Sequence, residues 1–504
     1  MSHLFNNILA FIIPIKLSDY DLSLYANLIR RHGGRVCSDQ KRCDIIFTAL
    51  KSPTRISRHI INHQIPIVDV EWIQICDRTH SLLPIESYVI NIGNKTVWKE
   101  LPKRASDVVN QSDDILNLEF ADMPPEKLIF EEEKESLITY NEEDEEEFDH
   151  SLAPGFINTK YACFRPTPYE PQFNRKLISL LLLIEKKREL AGEDIRSLSY
   201  RQAIAALKAY PRQIRSVREA EKIIGIGAKM KENIRQFLLT GTIEEAEELR
   251  YNEEFRTMKL FSNVFGVGAI TAKTWWDKGY RTLQQVLDYA KLTSTVRLGI
   301  QLFPHFHQLM NRTDVEEMID IVKGELAQVD MEGIVTPVGG YRRGKPENAD
   351  IDLIISTHTQ STDGLIKKLT ERLRQQGLLK HIVSHSGKTV KHSFRTEPKL
   401  KNNFNDLELC ICAILQPSKG ILRQVDLVLA EPGQYVTAVL GWTGSRYYER
   451  TLRDFSKKEK SININCQSVT LEDGVKRKKI YVESEEELYS ILGVPHLDPT
   501  LRNC

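Results

Sequence analysis

The 504-residue sequence predicts a multidomain protein of mixed α/β and α class. Three observations support this: an α/β pattern at the start, helical patterns with two Gly-x-Gly turns in the middle, and a return to strands beyond residue 315. The length exceeds what one ordinary core can organise. The expected parts are an α/β domain (1–92), an acidic disordered linker (93–155), two helical subdomains (156–250 and 251–315), a mixed-sheet domain (316–434) and a small C-terminal α+β subdomain (435–504).

Composition excludes several classes of protein. Hydrophobic residues make up 41% and charged residues 27%, a globular balance. No apolar run approaches the roughly 20 residues that a membrane span needs, so we expect no membrane partner. The eight cysteines lack metal-site spacing, and the C-x-C pair Cys410 and Cys412 alternates as in a strand. We therefore expect small buried thiols and a reducing compartment.

The net charge of zero hides a strong segregation. Residues 106–150 hold 17 Asp and Glu but only two Lys, a formal charge of −15, so the remainder carries +15. A basic body with an acidic tether favours a polyanion partner. The acidic stretch is typical of a disordered spacer, and a docking segment or an intramolecular competitor for a basic groove is the alternative.

Residues 1–92 contain a compact α/β pattern. "NNILAFIIPI" and "CDIIFTA" predict strands, and "DLSLYANLIRRHGGRV" predicts an amphipathic helix ended by Gly33 and Gly34. "PIVDVEWIQICDRTHSLLP" predicts a strand and a helix carrying Trp72, a core aromatic. This order resembles a BRCT domain, and the resemblance implies protein partners in DNA repair.

Two Gly-x-Gly turns mark the helical region, in "KIIGIGAKMKENIRQFLLTG" and "LFSNVFGVGAITAKTWWDKGY". Each precedes an amphipathic helix and resembles a helix-hairpin-helix motif. Glycines let the turn pack tightly and point backbone N–H groups at a phosphate oxygen without regard to base sequence. Ordinary helical turns are the alternative. The candidate DNA contacts are Gly225, Gly227, Lys229, Gly266, Gly268 and Lys273.

The segment "GGYRRGKPENADIDLII" combines a Gly-rich basic loop with a D-x-D pair. Strand alternation places Asp350 and Asp352 on one face, and the apolar strand "RQVDLVLA" adds Asp426. Several carboxylates in an apolar layer need a cation, and oxygen ligands favour a hard divalent ion. The loop offers close backbone approach and donors for phosphate from Gly339, Gly340, Arg343 and Lys345. The combination predicts a two-metal nucleotidyl-transfer site.

Together these motifs resemble the family X DNA polymerases, the group of the beta, lambda, mu and terminal-transferase enzymes, and the BRCT-like start is similar to fungal members. The resemblance covers nearly the whole chain. It implies that Asp350, Asp352 and Asp426 are the catalytic, metal-binding residues, with Mg2+ as cofactor and Mn2+ as a substitute. It also implies that the segment "LGWTGSRYYERTLRDFSKKEK" binds the nucleotide. The further nucleotide contacts implied are Arg312, Gly441, Trp442, Gly444, Ser445, Glu449 and Arg453, with Arg450 near the template.

Four positions depart from one or another branch of the family. Gly441 and Trp442 stand where the beta and lambda types carry Tyr-Phe, which predicts weak discrimination between ribo- and deoxyribonucleotides. Ala349 replaces the His of mu and terminal transferase, which argues against strong template-independent addition. Asn233 replaces the Schiff-base Lys of the lyase-active members. Lys229 and Lys231 lie near enough to be substitute amines, with Lys231 the candidate, and lyase activity stays undecided. The basic segment 386–406 is either an end-bridging loop or a flexible hairpin.

The resemblance implies a polymerase that fills short gaps in repair, chiefly in end joining of double-strand breaks, without proofreading. Its expected partners are gapped or broken double-stranded DNA, dNTP and rNTP, and end-joining proteins bound through the BRCT-like domain; its expected location is the nucleus. Two other functions remain open. One is a non-catalytic repair scaffold, and the other is an RNA-directed nucleotidyltransferase, which would lack paired helix-hairpin-helix motifs.

Overall fold

The computed structural model describes residues 4–5, 8–37, 40, 43–56, 59–60, 65–79, 85, 88–90, 129–130, 150–359, 361–387, 407–473 and 476–504. The chain divides into two compact units. One holds the N-terminal α/β domain, and the other holds everything from residue 125 onward. Most of the acidic stretch and most of the basic segment 386–406 lie outside the described residues.

The N-terminal unit is a parallel sheet with helices. Its elements are β1 (Leu9–Ile13), α1 (Asp19–Arg31), β2 (Arg35–Val36), β3 (Ile45–Thr48), α2 (Pro53–Ile56), β4 (Ile67–Asp69) and α3 (Glu71–Thr79). The strand order is β2-β1-β3-β4. The Gly pair after α1 is required by geometry, because Gly33 has φ +84° and a Cβ at Gly34 would lie 2.7 Å from Cγ2 of Ile29. Trp72 is buried against Phe5 and Phe47, as predicted for a core aromatic.

The helical region begins the second unit. Its helices are α4 (Arg175–Leu190), α5 (Asp194–Lys208), α6 (Val217–Glu221), α7 (Ala228–Thr240), α8 (Glu244–Tyr251), α9 (Glu253–Ser262), α10 (Ala269–Asp277), α11 (Leu283–Tyr289) and α12 (Ser294–Phe306). Residues of the predicted linker (93–155) belong to this core. Phe130 is buried, and its N–H donates to Oγ of Ser179 at 3.0 Å; Ala153 is buried in the same cluster.

Residues 310–429 form the mixed-sheet domain. Its elements are β5 (Met310–Asn311), α13 (Arg312–Ala327), β6 (Gly333–Pro337), α14 (Gly339–Arg342), β7 (Glu347–Asn348), β8 (Ile351–Thr357), α15 (Leu365–Gln375), β9 (Leu379–Ser386), β10 (Glu408–Gln416) and β11 (Ile421–Leu429). Strands β6, β8, β11, β10 and β9 lie side by side in that order, and only the β8–β11 pair is parallel among these described strands. Apolar side chains of one face pack on α13 and α15. Alternation therefore leaves Asp352 and Asp426 on the other face.

The C-terminal subdomain carries α16 (Tyr435–Thr443), α17 (Arg446–Lys460), β12 (Ile462–Ile464), β13 (Val469–Asp473), β14 (Lys476–Ile480) and α18 (Glu485–Leu492). The three strands form an antiparallel sheet. Helix α16 packs its Ala438 and Val439 with Ile354 and Val428, on the face of the mixed sheet that bears the aspartates. None of the described helices is long and apolar enough to cross a membrane.

Candidate active site

Three aspartates lie at the adjoining edge of two parallel strands. Asp426 of β11 pairs in register with Asp352 of β8, and Asp350 directly precedes β8. Neighbouring strands lie about 4.8 Å apart, so the side chains of Asp352 and Asp426 are adjacent. Asp426 is 7% exposed, Asp352 is partly buried, and Asp350 lies at the exposed rim. The structure therefore brings the three predicted residues together.

The charges of the three aspartates oppose one another. Loss of water contact raises the pKa of Asp352 well above its usual range, and Asp350 and Asp426 raise it further. Burial, together with repulsion from Asp350, raises the pKa of Asp426 to about 7. Loss of water contact also raises the pKa of Asp350, and the positive charges of Lys345 and Arg343 oppose that increase. Without added positive charge, the site disfavours full ionisation.

Glycines of the preceding loop make room for these carboxylates. Gly339 has φ +60°, and a Cβ there would lie 1.9 Å from Oδ2 of Asp352. A Cβ at Gly340 would lie 2.8 Å from Oδ1 of Asn348 and 2.9 Å from Cδ of Lys345. The backbone of the loop thus passes directly over the aspartate edge of the sheet, and only glycine fits at residue 339.

The basic residues of the loop have distinct placements. Arg343 and Lys345 are near enough to the aspartates to affect their pKa values. Arg312 lies behind the loop, where its guanidinium stacks on Tyr341 at 4.0 Å and Nη1 donates to the Tyr341 carbonyl at 3.0 Å. In this arrangement Arg312 supports the loop, while Arg343 and Lys345 contribute positive charge close to the aspartates.

The donor set fits a hard divalent cation. Three carboxylates share one edge, and the only polar side chain bonded to Asp426 among the described residues is Gln424, at 3.1 Å. Within the described ranges, no group of three His, Cys, Asp or Glu side chains is already arranged to hold a metal ion. The match between the aspartates and a divalent cation therefore rests on charge and donor type. Asp350, Asp352 and Asp426 are the residues that would hold the ion.

The predicted nucleotide segment borders the same face. Trp442 packs on the cluster that includes Val338 and Ile354, and its indole Nε1 is buried without a hydrogen-bond partner. A Cβ at Gly441 would lie 2.6 Å from Sγ of Cys466 and 3.1 Å from Nη2 of Arg453. The missing side chain at residue 441 is therefore also a packing requirement, which the sequence did not reveal.

Gly444 and Ser445 make the turn into α17. Gly444 has φ +72°, and a Cβ there would lie 3.0 Å from Nη1 of Arg343. The Ser445 hydroxyl caps α17 by accepting from the Tyr448 N–H at 3.3 Å, and it donates to the Cys504 carbonyl at 2.6 Å. This turn therefore brings the C-terminal subdomain against Arg343, one of the predicted phosphate-binding residues of the Gly-rich loop.

Glu449 and Arg453 point into the C-terminal subdomain. Glu449 is 5% exposed, and neither carboxylate oxygen accepts a hydrogen bond. Burial raises its pKa to about 7, and the guanidinium of Arg453, 3.5 Å away, opposes that shift. Arg450, by contrast, is exposed. The pair thus lies beside Gly441 and Cys466, and only Arg450 of the three stands in solvent.

Each Gly-x-Gly turn leads directly into a helix whose N-terminus has no side-chain cap. Gly227 and Gly268 are the N-cap residues of α7 and α10, neither helix has a side-chain cap, and neither has an acidic residue in its first turn. Gly225 and Gly266 have φ +113° and +82°. Free N–H groups at an uncapped helix start attract phosphate. Lys229 lines an adjacent pocket of about 370 Å³, and Lys273 pairs with Glu254 at 2.6 Å.

The candidate lyase amine is engaged in an ion pair. Nζ of Lys231 lies 2.6 Å from Oε1 of Glu221, and the side chain of Asn233 is buried and donates to the Tyr200 hydroxyl at 3.1 Å. An amine that attacks an aldehyde must first lose its proton, which an ion pair opposes. The geometry around Lys231 therefore gives a lyase reaction no support.

A buried ionic cluster that the sequence did not reveal joins the loop to the C-terminal subdomain. Arg342 donates to both carboxylate oxygens of Glu485 at 3.0 and 3.1 Å and to Oγ1 of Thr443 at 2.6 Å. Arg502, fully buried, donates to the same Glu485 at 3.1 Å. Asn503 next to it bonds Arg343. Proximity of residues 342 and 485 has no local sequence signal, because 143 residues separate them.

Models of known protein families match most of the chain. They are the BRCT domain (3–89), the helix-hairpin-helix domain (172–243), the fingers domain of DNA polymerase lambda (259–307), the DNA polymerase beta palm (310–431) and the DNA polymerase beta thumb (438–503). The predicted BRCT resemblance, the first of the two helix-hairpin-helix resemblances and the multidomain fold class are confirmed, while the second Gly-x-Gly turn lies within the fingers match. The aspartate edge lies within the palm match.

Relatives extend the same conclusion. The human DNA-directed DNA/RNA polymerase mu is 30% identical over 367 residues, covering 70% of this chain and 73% of its own. The DNA polymerase type-X family protein pol4 of Schizosaccharomyces pombe is 26% identical over 520 residues, covering 98% of both chains. DNA polymerase lambda of Rattus norvegicus is 26% identical over 68% of this chain and 59% of its own. The chain belongs to family X of the DNA polymerases and is a DNA-directed DNA polymerase, a nucleotidyltransferase.

Proposed function

We propose that this polymerase fills short gaps during DNA repair, chiefly in the joining of double-strand breaks, by two-metal nucleotidyl transfer. The observation that carries the proposal is the convergence of Asp350, Asp352 and Asp426 under the loop of Gly339 and Arg343. Mg2+ is the proposed cofactor, with Mn2+ as a substitute. When bound, the cation supplies charge that activates the attacking hydroxyl and stabilises the leaving pyrophosphate.

The protein's own residues orient the substrates. The glycine at residue 339 lets the loop backbone approach the carboxylates, so a triphosphate laid along the loop reaches the same edge. Arg343 and Lys345 are proposed to bind its phosphate oxygens, and Arg312 to hold the loop in position. The primer 3′-hydroxyl releases its proton to solvent and its oxygen forms a bond to the α-phosphorus as the bond to pyrophosphate breaks, which extends the primer by one nucleotide.

The nucleotide segment is proposed to accept both sugars. Trp442 and the Gly444–Ser445 turn border the aspartate face, and residue 441 carries no side chain that could exclude a 2′-hydroxyl. The expected outcome is insertion of ribonucleotides with only weak discrimination. A preference of several thousandfold for deoxyribonucleotides would contradict this part of the proposal.

The remaining parts of the chain are proposed to select the substrate. The uncapped starts of α7 and α10 suit sequence-independent contacts to the DNA backbone on either side of a gap. The BRCT domain is proposed to recruit end-joining proteins in the nucleus, with the acidic stretch as its tether. Synthesis is proposed to proceed without proofreading.

A variant of one aspartate separates this function from the scaffold alternative. Asp426→Ala is expected to abolish primer extension while leaving affinity for a one-nucleotide gapped duplex unchanged, since residues 225–229 and 266–273 stay intact. End joining measured in cells with the same variant gives the second readout. Unchanged joining with Asp426→Ala would favour the scaffold, and loss of joining supports the catalytic role.

A further inference from the structure

Residues 498–504 form a junction between three parts of the polymerase. Asn503 at its centre is 5% exposed. Its side-chain amide uses both ends: Nδ2 donates to the carbonyls of Arg343 and Thr500 at 3.0 and 2.9 Å, while Oδ1 accepts from Arg343 Nε at 3.1 Å. A neutral amide can donate and accept at once, so Asn503 fixes the backbone and the guanidinium of Arg343 together.

The other end of Arg343 is also held. Its Nη1 donates to the carbonyl of Thr443 in α16. Two anchors along one planar guanidinium define its orientation beside Asp350 and Asp352. Loss of the Asn503 anchor would leave the arginine attached at one end only.

The N-terminal helical subdomain reaches the same asparagine. The Asn503 N–H donates to the carbonyl of Thr167 at 2.9 Å, and the Thr167 N–H donates to the carbonyl of Leu501 at 2.7 Å. Nζ of Lys208, at the end of α5, donates to the carbonyl of Asn503 at 2.6 Å. Burial, together with the positive charges of Lys345 and Arg343, lowers the pKa of Lys208 to about 8. The contact therefore brings a further basic side chain close to Arg343 and Lys345.

We propose that Asn503 is a positioning residue that couples docking of the helical subdomain to the orientation of Arg343, and so to binding of the incoming triphosphate. The coupling rests on the proposed gap-filling function, in which α7 of that subdomain contacts the DNA backbone on one side of a gap. Docking through Thr167 and Lys208 holds the 498–504 junction, and the junction holds Arg343. Because coupling is reciprocal, a bound nucleotide also strengthens docking on the gapped duplex.

The test compares two DNA substrates at pH 7: a one-nucleotide gap with a downstream 5′-phosphate, and the same primer–template without the downstream strand. Steady-state insertion gives KM for dNTP and kcat for wild type, Asn503→Ala, Lys208→Met and the double variant. Lys186→Met is the matched control, since it removes a lysine of the same subdomain that pairs with Glu189. Thermal unfolding checks that each variant is folded.

Asn503→Ala is expected to raise KM about tenfold with a smaller change in kcat, the effect of losing a buried hydrogen-bond anchor. Lys208→Met is expected to raise KM on the gapped duplex alone, and the double variant to be no worse than Asn503→Ala. Lys186→Met is expected to match wild type. If Asn503→Ala fails to fold, the substrate dependence of Lys208→Met decides the matter by itself.

Three outcomes would overturn the coupling while wild type remains active. They are an unchanged KM in Asn503→Ala, an equal KM increase on both substrates in Lys208→Met, which indicates direct phosphate contact, and additive effects in the double variant. Failure of the wild type to insert on the gap would instead contradict the proposed function itself.

Discussion

Replacing Asp426 by Asn should stabilise the polymerase in a chelator at pH 8, although Asp426 is a proposed catalytic residue. The side chain is 7% exposed, and burial followed by repulsion from Asp350 raises its pKa from 3.8 to about 7. A carboxyl with a raised pKa resists ionisation in the folded state. Its contribution to stability is present below pH 4 and is lost as the pH rises to about 7.

The size of the effect follows from the shift. Each pKa unit corresponds to about 1.4 kcal/mol, so ionising Asp426 reduces the free energy of unfolding by roughly 4 kcal/mol at pH 8. Asparagine has the same shape and carries no charge. Asp426→Asn should therefore recover a large part of that energy at pH 8 and much less at pH 5.

The assay is thermal unfolding of the full chain in EDTA at pH 5 and pH 8. The transition that moves when Mg2+ is added to wild type identifies the polymerase unit. Asp314→Asn is the matched control: burial acts to raise the pKa of Asp314, but bonds from Lys419 and Gln416 hold it below its usual value, so this variant should lose stability at pH 8. Equal or lower stability of Asp426→Asn at pH 8 would refute the electrostatic argument.

Three further outcomes follow from the site. Gly339→Ala should reduce insertion about a hundredfold, because its Cβ would displace the Asp352 carboxylate 1.9 Å away. The control Gly364→Ala, at a glycine with a similar φ of +69° and open space around it, should retain activity. Equal losses in the two variants would point to backbone strain alone. Gly441→Ala should impair insertion, and adding Cys466→Ala should restore part of it, since Sγ of Cys466 is the nearest obstacle at 2.6 Å; no rescue would contradict that packing. Lys231→Met should leave borohydride trapping on a nicked abasic duplex unchanged, and a loss of the adduct would assign the amine to Lys231 despite its ion pair with Glu221.

Local patterns predicted the placement of the three aspartates at one edge of the sheet. Strand alternation alone placed Asp350 and Asp352 on one face, and an isolated acid within an apolar strand identified Asp426. Both signals are short-range, because each aspartate interrupts an apolar segment of the kind that forms a strand buried on both faces of a sheet. The need for glycine at residues 33 and 339 was likewise predictable, since each lies in a turn where the backbone adopts a positive φ.

Contacts between distant segments were not predictable from the sequence. The interactions of Asn503 with Arg343 and of Arg342 with Glu485 depend on how the C-terminal subdomain packs on the loop, and neither pair has a repeat or spacing. Gly441 was interpreted as an opening beside the sugar, but the side chains that fill its surroundings come from elsewhere in the fold. Phe130 shows the same limit. The composition of the surrounding segment predicts a spacer, but tertiary packing buries Phe130 in the helical core.

Catalysis by the three aspartates is tested most directly by single-nucleotide insertion on a one-nucleotide gapped duplex, with dNTP and with rNTP, in Mg2+ and in Mn2+. We expect template-directed insertion of both sugars by wild type and none by Asp352→Ala with either metal. Absence of insertion by wild type in both metals, or activity retained in Asp352→Ala, would contradict the assignment of catalysis to the three aspartates.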